Sequence, residues 1–232
     1  MSDTAQKIEE IYDVEATQRI KVDDEVIAVI KPYSDERYLK FRDELTKKIN
    51  EYLKNNKKAD LTDEVSELEI KESILLNQEL ADELIDSLEN VEDLPADWKS
   101  LISYEDKIQL LETAHRFVID EDNKKFSLKE INVPTACFFN GKAVRQNHKL
   151  RPKSIDDSSK YAWITSKELK VTQTGRLEKE KTVEFFSQDE KKAELYDSML
   201  IKAENFKNDK VPLKVKVLVI DYVFASTVNQ KK

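Results

Sequence analysis

Glycine is nearly absent from this chain: 232 residues contain only Gly141 and Gly175. Loops that cradle a dinucleotide or a triphosphate need several glycines, where backbone approaches phosphate or takes positive φ. Neither pattern occurs, so those enzyme classes are excluded. Cysteine is scarcer still. With Cys137 alone, no internal disulfide and no cysteine-based zinc site can form, which fits a reducing compartment. Apolar runs are short, none near the length of a membrane span. The start, MSDTAQKIEE, is polar and acidic rather than an apolar signal region. The expectation is a soluble protein with no membrane partner. Positive charge is also in deficit, 39 Lys and Arg against 47 Asp and Glu. A net charge of −8 argues against general nucleic-acid binding, because a phosphate backbone needs a cationic face.

What is there is a repeat. Ile30-Lys31-Pro32-Tyr33-Ser34-Asp35-Glu36-Arg37-Tyr38 returns as Leu150-Arg151-Pro152-Lys153-Ser154 with Asp156, Asp157 and Tyr161. Leu80-Ala81-Asp82-Glu83-Leu84 before Pro95 is echoed by Ala193-Glu194-Leu195-Tyr196-Asp197 before Pro212. The prolines are 120 and 117 residues apart. Two landmarks with similar offsets predict a diverged tandem duplication with halves 1–120 and 121–232.

Each half reads as α+β, a β-hairpin followed by two or three helices. In the first half, Arg19 to Ile30 alternates around Asp23-Asp24, a hairpin pattern. Pro32 stops the second strand and Ser34 caps a helix running to about Leu53. Residues 60–93 hold thirteen acids against the single base Lys71. Leucines recurring at three- and four-residue steps predict one or two amphipathic helices there, with an acidic outer face. Ser103 with Asp106 resembles a capping box for a helix to about Phe117, and Asp120 to Lys125 reads as a linker.

In the second half, Asn140-Gly141 between apolar runs is a strong hairpin signal. Pro152 and Ser154 repeat the stop and cap, with a helix or partly ordered segment through Tyr161 and Trp163. Thr172 to Arg176 reads as a turn. Lys181 to Phe186 is strand-like, although the repeat register makes it a loop or helix start. Gln188 to Phe206 reads as helix. Residues 213–224 are strand-like by composition, but the repeat favours helix.

Chemistry is thin. His148 could pair with Cys137 across the hairpin as a nucleophile pair, yet nothing supplies an oxyanion site, and a packing pair is the simpler reading. His115 reads as a structural histidine on an amphipathic helix. Acid-x-Lys pairs such as Asp122-x-Lys124 and Glu168-x-Lys170 are expected by chance in a chain with 37% charged residues. Phe138, Phe139, Tyr161, Trp163, Phe185 and Phe186 among Lys142, Arg145, Lys149 and Arg151 allow a stacking platform for nucleic acid, with core packing the simpler account. No catalytic residue, metal site or cofactor is assigned. The candidate partner-binding residues are Glu64, Glu67, Glu72, Asp82, Glu83, Asp86 and Glu89, with Asn140 and Gly141 at the hairpin.

The second half also carries a resemblance. Phe138-Phe139-Asn140-Gly141-Lys142, His148-x-Leu150-Arg151-Pro152-x-Ser154, Leu195-Tyr196-Asp197 and Val211-Pro212-Leu213-Lys214 resemble small tailed-phage proteins of the tail and assembly gene region. The match covers residues 135–224 and, through the repeat, more faintly 20–117. The first half departs from it, lacking the Phe-Asn-Gly hairpin and carrying the acidic segment. The resemblance implies a non-enzymatic structural or assembly protein, in the host cytoplasm or the virion, that binds other phage or host proteins or copies of itself. The hairpins would offer edge strands and the acidic helices would meet basic surfaces. Two alternatives remain. One is a phage-encoded inhibitor of a host defence enzyme, using the acidic face. The other is a nucleic-acid or metal-dependent enzyme using Asp122 or Glu168.

Overall fold

The computed structural model describes residues 11–22, 25–55, 63–174, 180–185 and 187–226. The alternating segment Gln18–Lys21 (β1) and the apolar Ile27–Ile30 (β2) pair antiparallel, Ile20 opposite Ala28; the expected Asp23-Asp24 turn lies outside the described residues. Past Pro32, Ser34 Oγ accepts from the Arg37 amide at 3.3 Å and starts helix α1 (Asp35–Asn55). Helix α2 (Asp63–Leu84) packs back along α1 through Leu45, Ile49, Leu68 and Leu76.

The helix expected through residue 93 ends at Leu84 instead. Ile85–Glu89 (β3) leaves it without a loop and pairs antiparallel with β2. The open edge of β2 offers Ile85–Glu89 a full ladder, and tertiary pairing overrides local helix propensity. Short α3 (Trp98–Leu101) and α4 (Tyr104–His115) follow, α4 capped by Ser103 Oγ accepting from the Asp106 amide at 3.1 Å.

The helix expected to run to about Phe117 stops at His115, and Phe117–Ile119 forms strand β4, hydrogen-bonded to the second half. Glu121–Asn123 is a 3-10 turn leading to β5 (Lys125–Phe126). Strands β6 (Ile131–Phe139) and β7 (Lys142–Leu150) form the expected hairpin. Its tip has positive φ at both central residues, Asn140 at 48° and Gly141 at 75°, the conformation for which Asn-Gly is favoured. Helix α5 (Ile155–Ser166) opens with a full capping box, Ser154 with Asp157.

A second hairpin, β8 (Leu169–Thr174) and β9 (Glu180–Phe185), comes next. The strand composition of residues 181–185 held where the repeat register did not, whereas Thr172, Gln173 and Thr174, expected in a turn, belong to β8, because each pairs across to β9. Helix α6 (Asp189–Met199) stops before Phe206, because Leu200–Glu204 (β10) peels off to pair with β7. Helix α7 (Leu213–Ala225) is helical despite its four valines. The protein is therefore α+β, with a three-stranded sheet β1-β2-β3 and a larger sheet β10-β7-β6-β4 that also carries β5 on β6.

The two halves place these elements in one order and one register. Ile30 faces Ile85; after a bulge Val29, Ala28 and Ile27 face Ser87, Leu88 and Glu89. Leu150 faces Leu200; after the same bulge Lys149, His148 and Asn147 face Lys202, Ala203 and Glu204. The Lys31 amide donates to the Leu84 carbonyl at 2.8 Å, and the Arg151 amide to that of Met199 at 2.9 Å. Each third strand ends in a left-handed asparagine, Asn90 (φ 63°) and Asn205 (φ 66°). Asn90 Nδ2 donates to the Glu25 carbonyl at 2.9 Å. Asn205 Nδ2 donates to that of Arg145 at 2.8 Å. Between their two main helices the halves differ, the first extending both into a long helical pair and the second inserting β8–β9.

Each sheet buries one face on its own helices. Ile20, Ala28, Ile30, Leu84 and Ile85 meet Leu110, Leu111 and Ala114 of α4. Val133, Val144 and Leu150 meet Leu195, Met199 and Ile220 of α6 and α7, with Tyr12 of the N-terminal segment inserted among them. The halves are locked together at α1. Asp189, the first residue of α6, is buried; it accepts from Tyr38 Oη at 2.8 Å and pairs with Arg42 at 2.9 Å. Asp35 Oδ1 accepts from the Leu213 amide that opens α7, at 2.7 Å. Strand β9 lies along α1 as well.

Candidate functional site

The groups most able to react are enclosed. Strand parity puts Thr135 and Cys137 of β6, and Gln146 and His148 of β7, on the inward face with the apolar core. They form one directed chain. Gln146 Nε2 donates to Cys137 Sγ at 3.1 Å, so Gln146 Oε1 is left to accept from Thr135 Oγ1 at 3.0 Å. Thr135 then accepts from His148 Nε2 at 3.0 Å. His148 Nδ1 accepts from Tyr196 Oη at 2.7 Å. One tautomer, Nε2–H, satisfies every bond.

Burial holds the His148 imidazole down to about 3 and pushes the Cys137 thiol up to about 11, so both are neutral near pH 7. At that value only on the order of one thiol in ten thousand is thiolate. The cross-strand partner of Cys137 is Val144, and that of His148 is Val133. The two are thus joined through Gln146 and Thr135 and not as a nucleophile pair. Composition offered no sign of Thr135 and Gln146. The period-two pattern did, since Thr135 shares its face with Val133 and Gln146 shares its face with Val144.

His115 is also buried. Its Nε2 faces the Lys31 carbonyl at 3.1 Å, which fixes the proton there, and burial lowers its pKa to about 3. Beside it Lys214 Nζ donates to the His115 carbonyl at 2.7 Å and lies 5.6 Å from the Tyr33 ring. Burial pushes this amine down to about 8.

The acidic positions are mostly engaged within the first half. Glu72 pairs with Lys48 at 3.6 Å, Asp82 with Lys107 at 2.7 Å, Glu83 with Arg37 at 3.0 Å and Asp86 with Lys31 at 2.9 Å. Glu89 pairs with Arg19. Glu67 is exposed on α2, and the Glu64 side chain lies outside the described residues. At the hairpin tip, Asn140 Oδ1 accepts from the Arg19 amide of β1 at 3.1 Å, while Gly141 faces open space. Strands β6 and β7 are both interior to their sheet. The expectation that this hairpin offers an edge for strand addition is therefore corrected: β4, β5 and β10 already cover it.

The aromatic platform is corrected too. Phe138 points off the outer face of the sheet, whereas Phe139 joins the inner core. Tyr161 stacks on Phe224 at 4.5 Å, and Trp163 projects from α5 on another surface. The Phe185 and Phe186 side chains lie outside the described residues. Glu168 pairs with the buried Lys192 at 2.9 Å, and Asp122 is exposed in the 3-10 turn. Among the described residues, no group of three or more His, Cys, Asp or Glu could hold a metal ion. No described helix is long and apolar enough to cross a membrane.

A groove of about 510 Å³ lies on the outer side of the larger sheet. Its floor is Val118, Ala136, Phe138 and Ala143, and its wall is Gln109, Glu112, Thr113 and Arg116 of α4. Phe138 is 52% exposed and Val118 42% exposed. This is an apolar floor with a polar rim. No family model, curated protein or solved structure matches this chain.

Proposed function

We propose that this chain is a non-enzymatic binding protein, a structural or assembly component of a tailed phage or phage-like element, associated with the tail and acting on other phage or host proteins. The observation that carries a binding role is the groove of Val118, Ala136, Phe138 and Ala143, where a half-exposed phenylalanine stands beside α4. Exposed aromatics centred in such patches supply much of the energy of protein association. The setting in phage assembly rests on the sequence resemblance, with the host cytoplasm and the particle as places of action.

We further propose that the halves arose by tandem duplication, each a β-hairpin with a Pro-x-Ser stop followed by helices. The common strand register, the common bulge and the paired Asn90 and Asn205 support it. The inhibitor alternative has less to act with, because five of its acids already hold bases of the same chain.

Affinity capture from phage-infected cells tests the role. Recovery of tail tube, tape-measure or baseplate proteins by the native chain, lost with Phe138→Asp, is the expected result. Capture of a single host enzyme, unchanged by Phe138→Asp and lost on charge reversal at Glu67, Glu72 and Asp86, would replace this reading with the inhibitor.

A further inference from the structure

The contact that joins the halves has two open ends, and we infer that a second copy of this chain closes them head to tail. This inference rests on the duplication reading. Inside the chain, helix α1 of the first half receives the start of α6, with Tyr38 and Arg42 on Asp189, and Asp35 receives the start of α7. By the strand registers, first-half positions up to the first helix map onto the second half 120 residues later, and those from α2 into β3 map 115 residues later.

The receiving face of α1, Asp35, Tyr38 and Arg42, therefore maps onto Ile155, Ser158 and Ala162 of α5. The donating residue Asp189 maps onto Ile74 of α2. Among the described residues, Ile155, Ser158 and Ala162 of α5 and Ile74 of α2 are all exposed.

Both vacant surfaces lack the charged groups of their covered counterparts and carry exposed apolar side chains. On α5, Ile155 is 86% exposed, and Trp163, next to Ala162, is 56% exposed. On α2, Ile74 is 44% exposed, with Leu75 beside it and Ile70 one turn earlier at 62%. Exposed apolar side chains at i and i+4 on a helix form a docking stripe.

The pairing is also favoured by charge. Residues 1–120 carry 16 bases and 31 acids, a net of −15, whereas residues 121–232 carry 23 bases and 16 acids, a net of +7. Lys160 and Lys191 line the groove beside Trp163, and Lys167 Nζ stands 5.6 Å from its ring. Glu67 and Glu79 are exposed on α2. Two first halves repel and two second halves repel, so opposite net charges steer unlike ends together. A contact of this kind uses different surfaces on the two partners. It continues into a ring or an open filament and does not stop at a two-fold dimer.

The test is sedimentation velocity over a concentration series, with full-length variants blocked at one end each. Ile74→Glu blocks the donating surface and Ala162→Glu the receiving one; both positions are exposed, and unchanged melting curves confirm folding. The native chain is expected to form species above the dimer as concentration rises. Each variant alone should stay monomeric, its self-association weakened about tenfold or more. An equimolar mixture should form a dimer and nothing larger, since each variant supplies the end the other lacks.

A native chain that stays monomeric would overturn the inference, as would Ile74→Glu that still associates alone. Either result leaves the duplication standing. That reading fails separately, if an experimental structure does not superpose residues 18–89 on 131–204.

Discussion

Helices α1 and α5 hold the same place in their halves, yet one is covered and the other open. Where α1 presents Tyr38 and Arg42, a buried carboxylate meets them. Where α5 presents Ser158 and Ala162, solvent meets them, with Ile155 and Trp163 exposed alongside. The same fold position thus carries polar anchors where an interface is permanent and interchangeable apolar surface where it is not. A buried ion pair must be matched group for group, which suits two halves of one chain. An apolar stripe tolerates being wet, which suits a partner that comes and goes.

The largest effect expected from breaking this comparison is at Asp189. Asp189→Ala leaves Arg42 without its carboxylate and should cost about 3 kcal/mol or more in chemical denaturation. Ile74→Ala, at the corresponding place in the first half, should fall within about 0.5 kcal/mol. Similar costs at the two sites would mean that the two positions are not in contrasting environments.

Acid should act next most strongly, through the buried histidines. In the unfolded chain they take protons near 6.5, but in the folded chain only near 3. A group with a depressed folded pKa contributes stability that is complete above 6.5 and is lost as pH falls towards 3. Each histidine should thus remove about 1.4 kcal/mol per pH unit across that window. His148→Gln should make the decline between pH 6 and pH 4 roughly half as steep. An unchanged slope would mean that His148 is not held neutral.

The paired asparagines sharpen the likeness of the halves. Asn90→Ala and Asn205→Ala each force an alanine into left-handed backbone and remove a bond to a hairpin carbonyl. Both should cost about 1–2 kcal/mol. A large effect at one and none at the other would weaken the case for a common architecture. The smallest effects belong to the exposed acids. Glu83→Gln and Asp86→Asn remove ion pairs open to solvent, and melting should shift by what about 0–1 kcal/mol allows.

Much of this was legible in the sequence where a local signal coincided with its tertiary use. Asn140-Gly141, Ser34, Ser103 and Ser154 mark turns and caps whose chemistry is complete within four residues. Strands β3 and β10 were not legible, because Ile85–Glu89 and Leu200–Glu204 continue the amphipathic helices α2 and α6 without a break and become strands only through the open edges of β2 and β7. The closed chain from Tyr196 to Cys137 was half legible. His148 and Cys137 stood out as rare residues, but Thr135 and Gln146, which join them, are common ones distinguished only by strand parity. The engagement of the acidic positions was hidden for a like reason: Arg19, Lys31, Arg37 and Lys107 come from four separate elements or loops.

The most direct measurement is disulfide trapping between copies with the double variant Ile74→Cys, Ala162→Cys. The native Cys137 is buried and does not compete. Mild oxidation should give a ladder of covalent dimers, trimers and larger species on a non-reducing gel, with neither single variant giving more than traces. Dimers formed by Ala162→Cys alone, or a double variant that remains monomeric, would contradict head-to-tail assembly.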